Sequence, residues 1–122
     1  MKTKNLFMLL LSTCFFMACS NDNPETLMDN PPIEGVVTYK QNVKPIMDNN
    51  CIRCHGATPT NGAPMSLVTY AQVKNAIESR GLINRISLNN GNSLLMPQGG
   101  PRLPQATIDI VVQWKNDGFV EE

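Results

Sequence analysis

Apolar residues recur at helical spacing just before the middle of the chain. Four of them fall on one helical face at i, i+4, i+7 and i+8: Tyr39, Val43, Ile46 and Met47. Thr38 and Gln41, three residues apart, form a capping signature for the start of this helix. Pro45 lies inside the pattern, so we expect a kink there, or a restart that places Pro45 in a first turn.

A second segment shows the same signals about thirty residues later. Thr69 and Gln72 repeat the capping signature, and Gly81 marks the expected end of the helix. Between them, three apolar residues share one face: Tyr70, Val73 and Ile77. The spacing therefore predicts a second amphipathic helix.

The last helix is expected to begin at Pro104 and to end at Gly118. Its inner side would be formed by Ile108, Val111, Val112 and Trp114. We expect the tryptophan to pack in the core against the first helix. Three main helices joined by long irregular loops, with almost no strand, predict a small all-α domain.

The N-terminus combines positive charge with a short apolar run. Lys2 and Lys4 precede residues 6–18, in which only Ser12 and Thr13 are clearly polar. This run is too short to span a bilayer as a helix, which takes roughly 17–25 residues. Its length and its charged start are typical of the hydrophobic region of a secretory signal peptide.

The run ends in "FMAC", which resembles the bacterial lipoprotein signal. In that signal, cleavage occurs before a cysteine that carries a lipid, so the resemblance implies a signal peptide over residues 1–18 and lipidation of Cys19. Phe16 stands where the signal more often has Leu. The alternatives are an ordinary signal peptide cut elsewhere, or a buried cysteine. Cys14 is a poorer lipidation candidate because its apolar run would be very short.

The lipoprotein resemblance also implies a location. The protein would be exported and lipid-anchored to the bacterial cell envelope, facing the periplasm or the cell exterior. Ser20 follows the cysteine, which by resemblance to bacterial sorting signals favours the outer membrane. Residues 19–35 are polar and contain three prolines, so we interpret them as a lipidated flexible tether.

The remaining residues, 36–122, are expected to form one small domain. A chain of this size usually needs a staple such as a disulfide, a metal or a cofactor. Loss of Lys2 and Lys4 with the signal peptide leaves eight basic residues against ten acidic ones, a net charge of about −2. The bases are scattered, which argues against a nucleic-acid partner.

The candidate chemistry is concentrated in the sequence "CIRCH". It contains Cys51, Cys54 and His55, the only histidine of the chain. A zinc site would need about four ligands, and no second ligand pair exists. A thioredoxin-like dithiol would need a preceding strand, which the pattern does not predict. A disulfide remains an alternative, but C-x-x-C-H in an exported protein is typical of covalent haem attachment.

A haem iron held by the single histidine needs a different residue as its sixth ligand. Methionine is the known alternative in cytochromes c. Met96 lies in a loop rich in glycine and proline, where helical periodicity does not explain an apolar side chain. Met65 and Met47 are better explained by packing, and Met28 lies in the predicted tether. We also expect a backbone carbonyl near Pro59 or Pro64 to accept the His55 Nδ1–H.

Taken together, these segments resemble the class I cytochrome c family. The matching stretches are "VTYKQNVKPIMDNNCIRCHG", "MSLVTYAQVKNAI", "SLLMPQGG" and "LPQATIDIVVQWKNDGF". The resemblance implies a small cytochrome c fold around one covalent haem c, bound by Cys51 and Cys54. It implies His55 as the proximal iron ligand and Met96 as the distal one. Gln98 departs from the family, which commonly has a second proline after Met-Pro.

The function implied by this resemblance is electron transfer by a membrane-tethered monohaem cytochrome. We expect an electron carrier rather than an enzyme, with unidentified redox proteins as partners and the membrane reached through the lipid anchor. The alternatives are a haem-based sensor and a peroxidase-like haem, both with a labile distal ligand. Peroxidase chemistry normally needs distal acid–base groups, and no second histidine is present to supply them.

Overall fold

A computed structural model describes residues 33–122 of the chain. These residues form helices and loops, with no strand in this range. The helices are a π-helical turn Tyr39–Val43, α1 Lys44–Asn50, α2 Ile52–His55, α3 Tyr70–Ser79, α4 Leu82–Ser87 and α5 Gln105–Asn116. The all-α class is therefore confirmed for the described range. The predicted signal peptide, Cys19 and all but the last three residues of the predicted tether lie outside it.

The first helix is interrupted where Pro45 was expected to disturb it. Thr38 Oγ1 accepts a hydrogen bond from Gln41 N at 3.4 Å, so the threonine caps the start as predicted. The backbone N–H of Lys44 then reaches back to Tyr39 O, which makes the first turn π-helical. α1 restarts with Pro45 in its first turn, where its missing N–H costs nothing. The restart is thus confirmed.

The second predicted helix, α3, begins with a complete capping box. Thr69 Oγ1 accepts from Gln72 N at 3.3 Å, and Gln72 Oε1 accepts from Thr69 N at 3.1 Å. The helix ends before Gly81, which adopts a left-handed φ of 68°. α4 then starts directly after this glycine and was not predicted, because its apolar pattern is too short to show a period.

α5 supplies the centre of the core. Ile108, Val111 and Trp114 are buried, whereas Val112 is only partly buried. The Trp114 ring lies 5.6 Å from the Tyr39 ring, centroid to centroid. This confirms the expected packing of the tryptophan against the first helix.

The C-terminal tail closes the domain over this aromatic contact. Tyr39 N donates to Val120 O at 2.8 Å, and Lys40 N donates to Glu121 O at 3.1 Å. Trp114 Nε1 donates to the same Val120 oxygen at 2.8 Å. The start and the end of the domain are therefore held together by backbone as well as by side chains.

No helix between residues 33 and 122 is both long enough and apolar enough to cross a membrane.

Tyr39 and Tyr70, whose ring centroids lie 5.6 Å apart, give a matched stability test. Tyr70 Oη donates to Phe119 O at 2.9 Å, whereas the buried Tyr39 hydroxyl has no hydrogen-bond partner among the described residues. Burial also raises the pKa of Tyr39. We expect Tyr70→Phe to lower the free energy of unfolding by about 1 kcal/mol. Tyr39→Phe should be neutral or stabilising, because it removes a buried polar group that makes no bond.

Denaturant unfolding of the two single variants beside the parent protein measures both effects. If Tyr39→Phe lowered the free energy of unfolding as much as Tyr70→Phe does, the Tyr39 hydroxyl would be hydrogen-bonded in solution.

Candidate functional site

The CIRCH residues form one continuous helical turn at the end of α1 and along α2. Cys51 joins the two helices, and its N–H donates to Met47 O at 2.8 Å. Cys54 N and His55 N both donate to Cys51 O, at 3.1 and 2.9 Å. Residues three apart share a helical face, so the two cysteines lie on one side of this turn. Both thiols are free, so the disulfide alternative is not supported.

The environment of Cys51 is unlike that of a redox-active dithiol. Its side chain packs against the hydrophobic core, and burial raises its pKa to about 11. Reactive cysteines instead have a lowered pKa, produced by nearby positive charge or a helix N-terminus. Cys51 is therefore protonated at neutral pH while its thiol is free, which disfavours the dithiol interpretation.

A zinc centre is also not supported. Within residues 33–122, no group of three or more His, Cys, Asp and Glu side chains is placed to hold a metal ion. Structural zinc sites in proteins use four such ligands.

His55 is buried and held by a specific backbone acceptor. Its Nδ1 lies 2.8 Å from Met65 O. Because a carbonyl oxygen can only accept, Nδ1 carries a proton in this contact, and a neutral His55 ring would therefore present its lone pair at Nε2. The expectation left the carbonyl open between Pro59 and Pro64, and the structure places it at Met65, the residue after Pro64. His55 O in turn accepts a hydrogen bond from Leu67 N at 2.8 Å, so the backbone of His55 is bonded to the same loop as its side chain.

A tight turn in the loop after the CIRCH segment folds back onto it. Thr60 N donates to Cys54 O at 2.8 Å, and Thr60 Oγ1 donates to Arg53 O at 3.3 Å. Asn61 Nδ2 donates to Cys54 Sγ at 3.4 Å. These contacts were not predicted. Asparagine followed by glycine is a common turn sequence, so the turn at Asn61–Gly62 could have been predicted, but its docking on Cys54 could not.

Met96 lies in the loop between α4 and α5, as its predicted role requires. Its backbone N–H donates to Arg85 O at 3.1 Å, which ties the loop to α4. The side chain is partly buried and packs at the edge of the core. A surface cleft of about 460 Å³ flanks it, lined by residues of the segments 90–95 and 98–101. α4, which the sequence pattern missed, thus positions the residue chosen as distal ligand.

The candidate residues lie in the CIRCH turn and in the loop between α4 and α5, around one core. Cys51, Met65 and Met96 all pack against the same hydrophobic cluster. Cys54 and His55 follow within the CIRCH turn, and Met65 contributes its carbonyl to the histidine. Comparison with protein-family models, curated proteins and solved structures finds no match to this chain.

Proposed function

We propose that this protein is a membrane-tethered monohaem cytochrome c that transfers single electrons between unidentified redox proteins. The observation that carries the proposal is the CIRCH turn, in which two free thiols share a face and the next residue is a buried histidine with its Nδ1–H held by Met65 O. In an exported protein, this combination is typical of covalent haem attachment.

The residues present fit a haem c group. Cys51 and Cys54 would hold it through two thioether bonds, and His55 Nε2 would ligate its iron. When bound, the group supplies the one-electron couple of Fe(III) and Fe(II). The protein would contribute the orientation of the imidazole, a sulfur ligand and a largely apolar surrounding, which together set the reduction potential.

The hydrogen bond from His55 to Met65 O has two consequences for such a centre. It leaves Nε2 free to bind iron in a single ring orientation. It also makes Nε2 a stronger electron donor to the metal, because the carbonyl attracts the proton on Nδ1 and leaves more electron density on the ring.

The same hydrogen bond favours Met96 over Met65 as the sixth ligand. Met65 is held by its own backbone at the Nδ1 side of the His55 ring, away from the nitrogen that would face the iron. Met96 belongs to a different loop, anchored on α4 through Arg85 O. A thioether ligand favours Fe(II) and raises the reduction potential.

The proposed attachment to the membrane rests on the sequence of the N-terminus. Lipidation of Cys19 would anchor the domain, and the sixteen tether residues that follow it, 20–35, would let it reach at most roughly 50 Å from the lipid. We propose an envelope location with the outer membrane favoured.

Covalent haem is the first test of this function. We expect denatured protein extracted with acidified acetone to keep its haem, because thioether bonds survive unfolding. Mass spectrometry of the intact chain should show the mass of one added haem. The variant with both Cys51→Ala and Cys54→Ala should release any haem into the organic phase. Complete extraction from the parent protein, or a mature domain with no Soret band, would contradict the proposal.

Substitution of the two methionines tests the sixth ligand. Met96→Ala should abolish the weak far-red absorption of the oxidised protein that reports methionine sulfur on iron. It should also lower the reduction potential and open the iron to carbon monoxide. Met65→Ala is the matched control, because it keeps the backbone carbonyl bound to His55. It should cost about 1–2 kcal/mol of stability from lost packing and leave the spectrum unchanged.

The opposite pattern would show that Met65 is the ligand. A parent protein that never shows the far-red band and binds carbon monoxide readily would favour the haem sensor or the peroxidase-like alternative over the carrier.

The lipid anchor is tested by Cys19→Ser. Incorporation of labelled fatty acid should stop, and unprocessed precursor should accumulate, because serine offers no thiol for the lipid. Cys14→Ser is the control and should be processed and labelled like the parent protein. Equal labelling of the Cys19→Ser variant would show that the anchor lies elsewhere.

A further inference from the structure

The turn at residues 60–63 is attached to the CIRCH segment by three hydrogen bonds, two from Thr60 and one from Asn61. It is closed by Ala63 N donating to Thr60 O at 2.9 Å. Thr60 alone makes two hydrogen bonds to the backbone of Arg53 and Cys54. These bonds fix the position of the following residue, Asn61, over the second cysteine.

Asn61 adopts a backbone conformation that non-glycine residues rarely use. Its φ is 52°, and Gly62 follows with a φ of 75°. Asparagine tolerates this region better than most residues, but glycine would occupy it without a steric cost. The turn thus accepts either residue, and asparagine differs from glycine in adding a side-chain amide.

The contact made by the side chain is with a sulfur atom. Asn61 Nδ2 donates a hydrogen bond to Cys54 Sγ at 3.4 Å. A thioether sulfur keeps lone pairs after the thiol has been alkylated, so the amide can donate to it in the same way when haem is attached. Hydrogen bonds around a haem are one of the means by which a protein tunes its potential.

We propose that Asn61 is a positioning residue that tunes the redox centre through Cys54. This inference rests on the proposed function. The amide N–H withdraws electron density from the thioether sulfur, and through it from the haem. Fe(II) is thereby stabilised relative to Fe(III), and the reduction potential is raised. The turn at residues 60–63 holds this donor against the sulfur.

Two substitutions of Asn61 separate the amide from the turn. Asn61→Gly keeps the left-handed backbone and removes the donor, so it should fold normally. Asn61→Asp keeps the size of the side chain and replaces the donor with a negative charge beside the sulfur. We expect the reduction potential to be highest in the parent protein, lower in Asn61→Gly and lowest in Asn61→Asp. At the midpoint potential of the parent protein, the ratio of Fe(II) to Fe(III) should fall at least about twofold in the Gly variant and further in the Asp variant.

Asn90→Asp is the matched control for added charge. Asn90 also precedes a glycine and is exposed, but its Oδ1 accepts from Arg102 N at 2.8 Å, a contact that a carboxylate keeps. This variant should shift the ratio less than Asn61→Asp does. The measurement is spectroelectrochemical titration of the full mature protein. In the reduced protein, nitrogen-15 NMR should show slowed exchange of the Asn61 side-chain amide protons.

The outcomes separate this inference from the function on which it rests. Haem that is present, with a potential unchanged in Asn61→Gly, overturns the role of Asn61 and leaves the cytochrome proposal standing. An equal shift in Asn90→Asp and Asn61→Asp also overturns it, because the effect is then one of net charge. Protein without haem overturns both.

Discussion

The hydrogen bond between His55 Nδ1 and Met65 O is the interaction on which the site depends. It closes the long loop after the CIRCH turn, and the adjacent bond from Leu67 N to His55 O locks the closure. A buried imidazole without an acceptor would carry a desolvation cost of about 1–3 kcal/mol. The loop carbonyl removes that cost, fixes the tautomer and commits Met65 to the Nδ1 side of the ring.

A second constraint holds the scaffold that presents this loop. The π-helical turn at Tyr39 pairs with the C-terminal tail, and Trp114 packs between them. The turn that precedes α1 is therefore held in place, and α1 connects it to Cys51 although the helix is interrupted near Pro45. In a domain of this size the core is small, so joining its two ends limits fraying of the helix that carries the cysteines.

Features set by neighbouring residues could be predicted from the sequence. The capping threonines, the restart at Pro45 and the ends at Gly81 and Gly118 each depend on contacts within about four residues. α4 was missed because six residues carry too little periodicity. The docking of Thr60 was missed, and the identity of the carbonyl that accepts from His55 was left open. Both depend on how a ten-residue loop packs, which no local sequence pattern encodes.

The loop after the CIRCH turn contacts that turn from two sides. Met65 O lies at His55, and Asn61 Nδ2 lies at Cys54 Sγ. In the proposed centre, the Met65 carbonyl would strengthen electron donation from the His55 ring to the iron, and the Asn61 amide would weaken donation from the Cys54 sulfur to the porphyrin. The two contacts would then act in opposite directions on the reduction potential. The backbone contact at Met65 is insensitive to side-chain substitution, whereas the contact at Asn61 depends on its side chain. A change at Asn61 would therefore shift the potential of the proposed centre without altering the cysteines, the histidine or the helices that carry them.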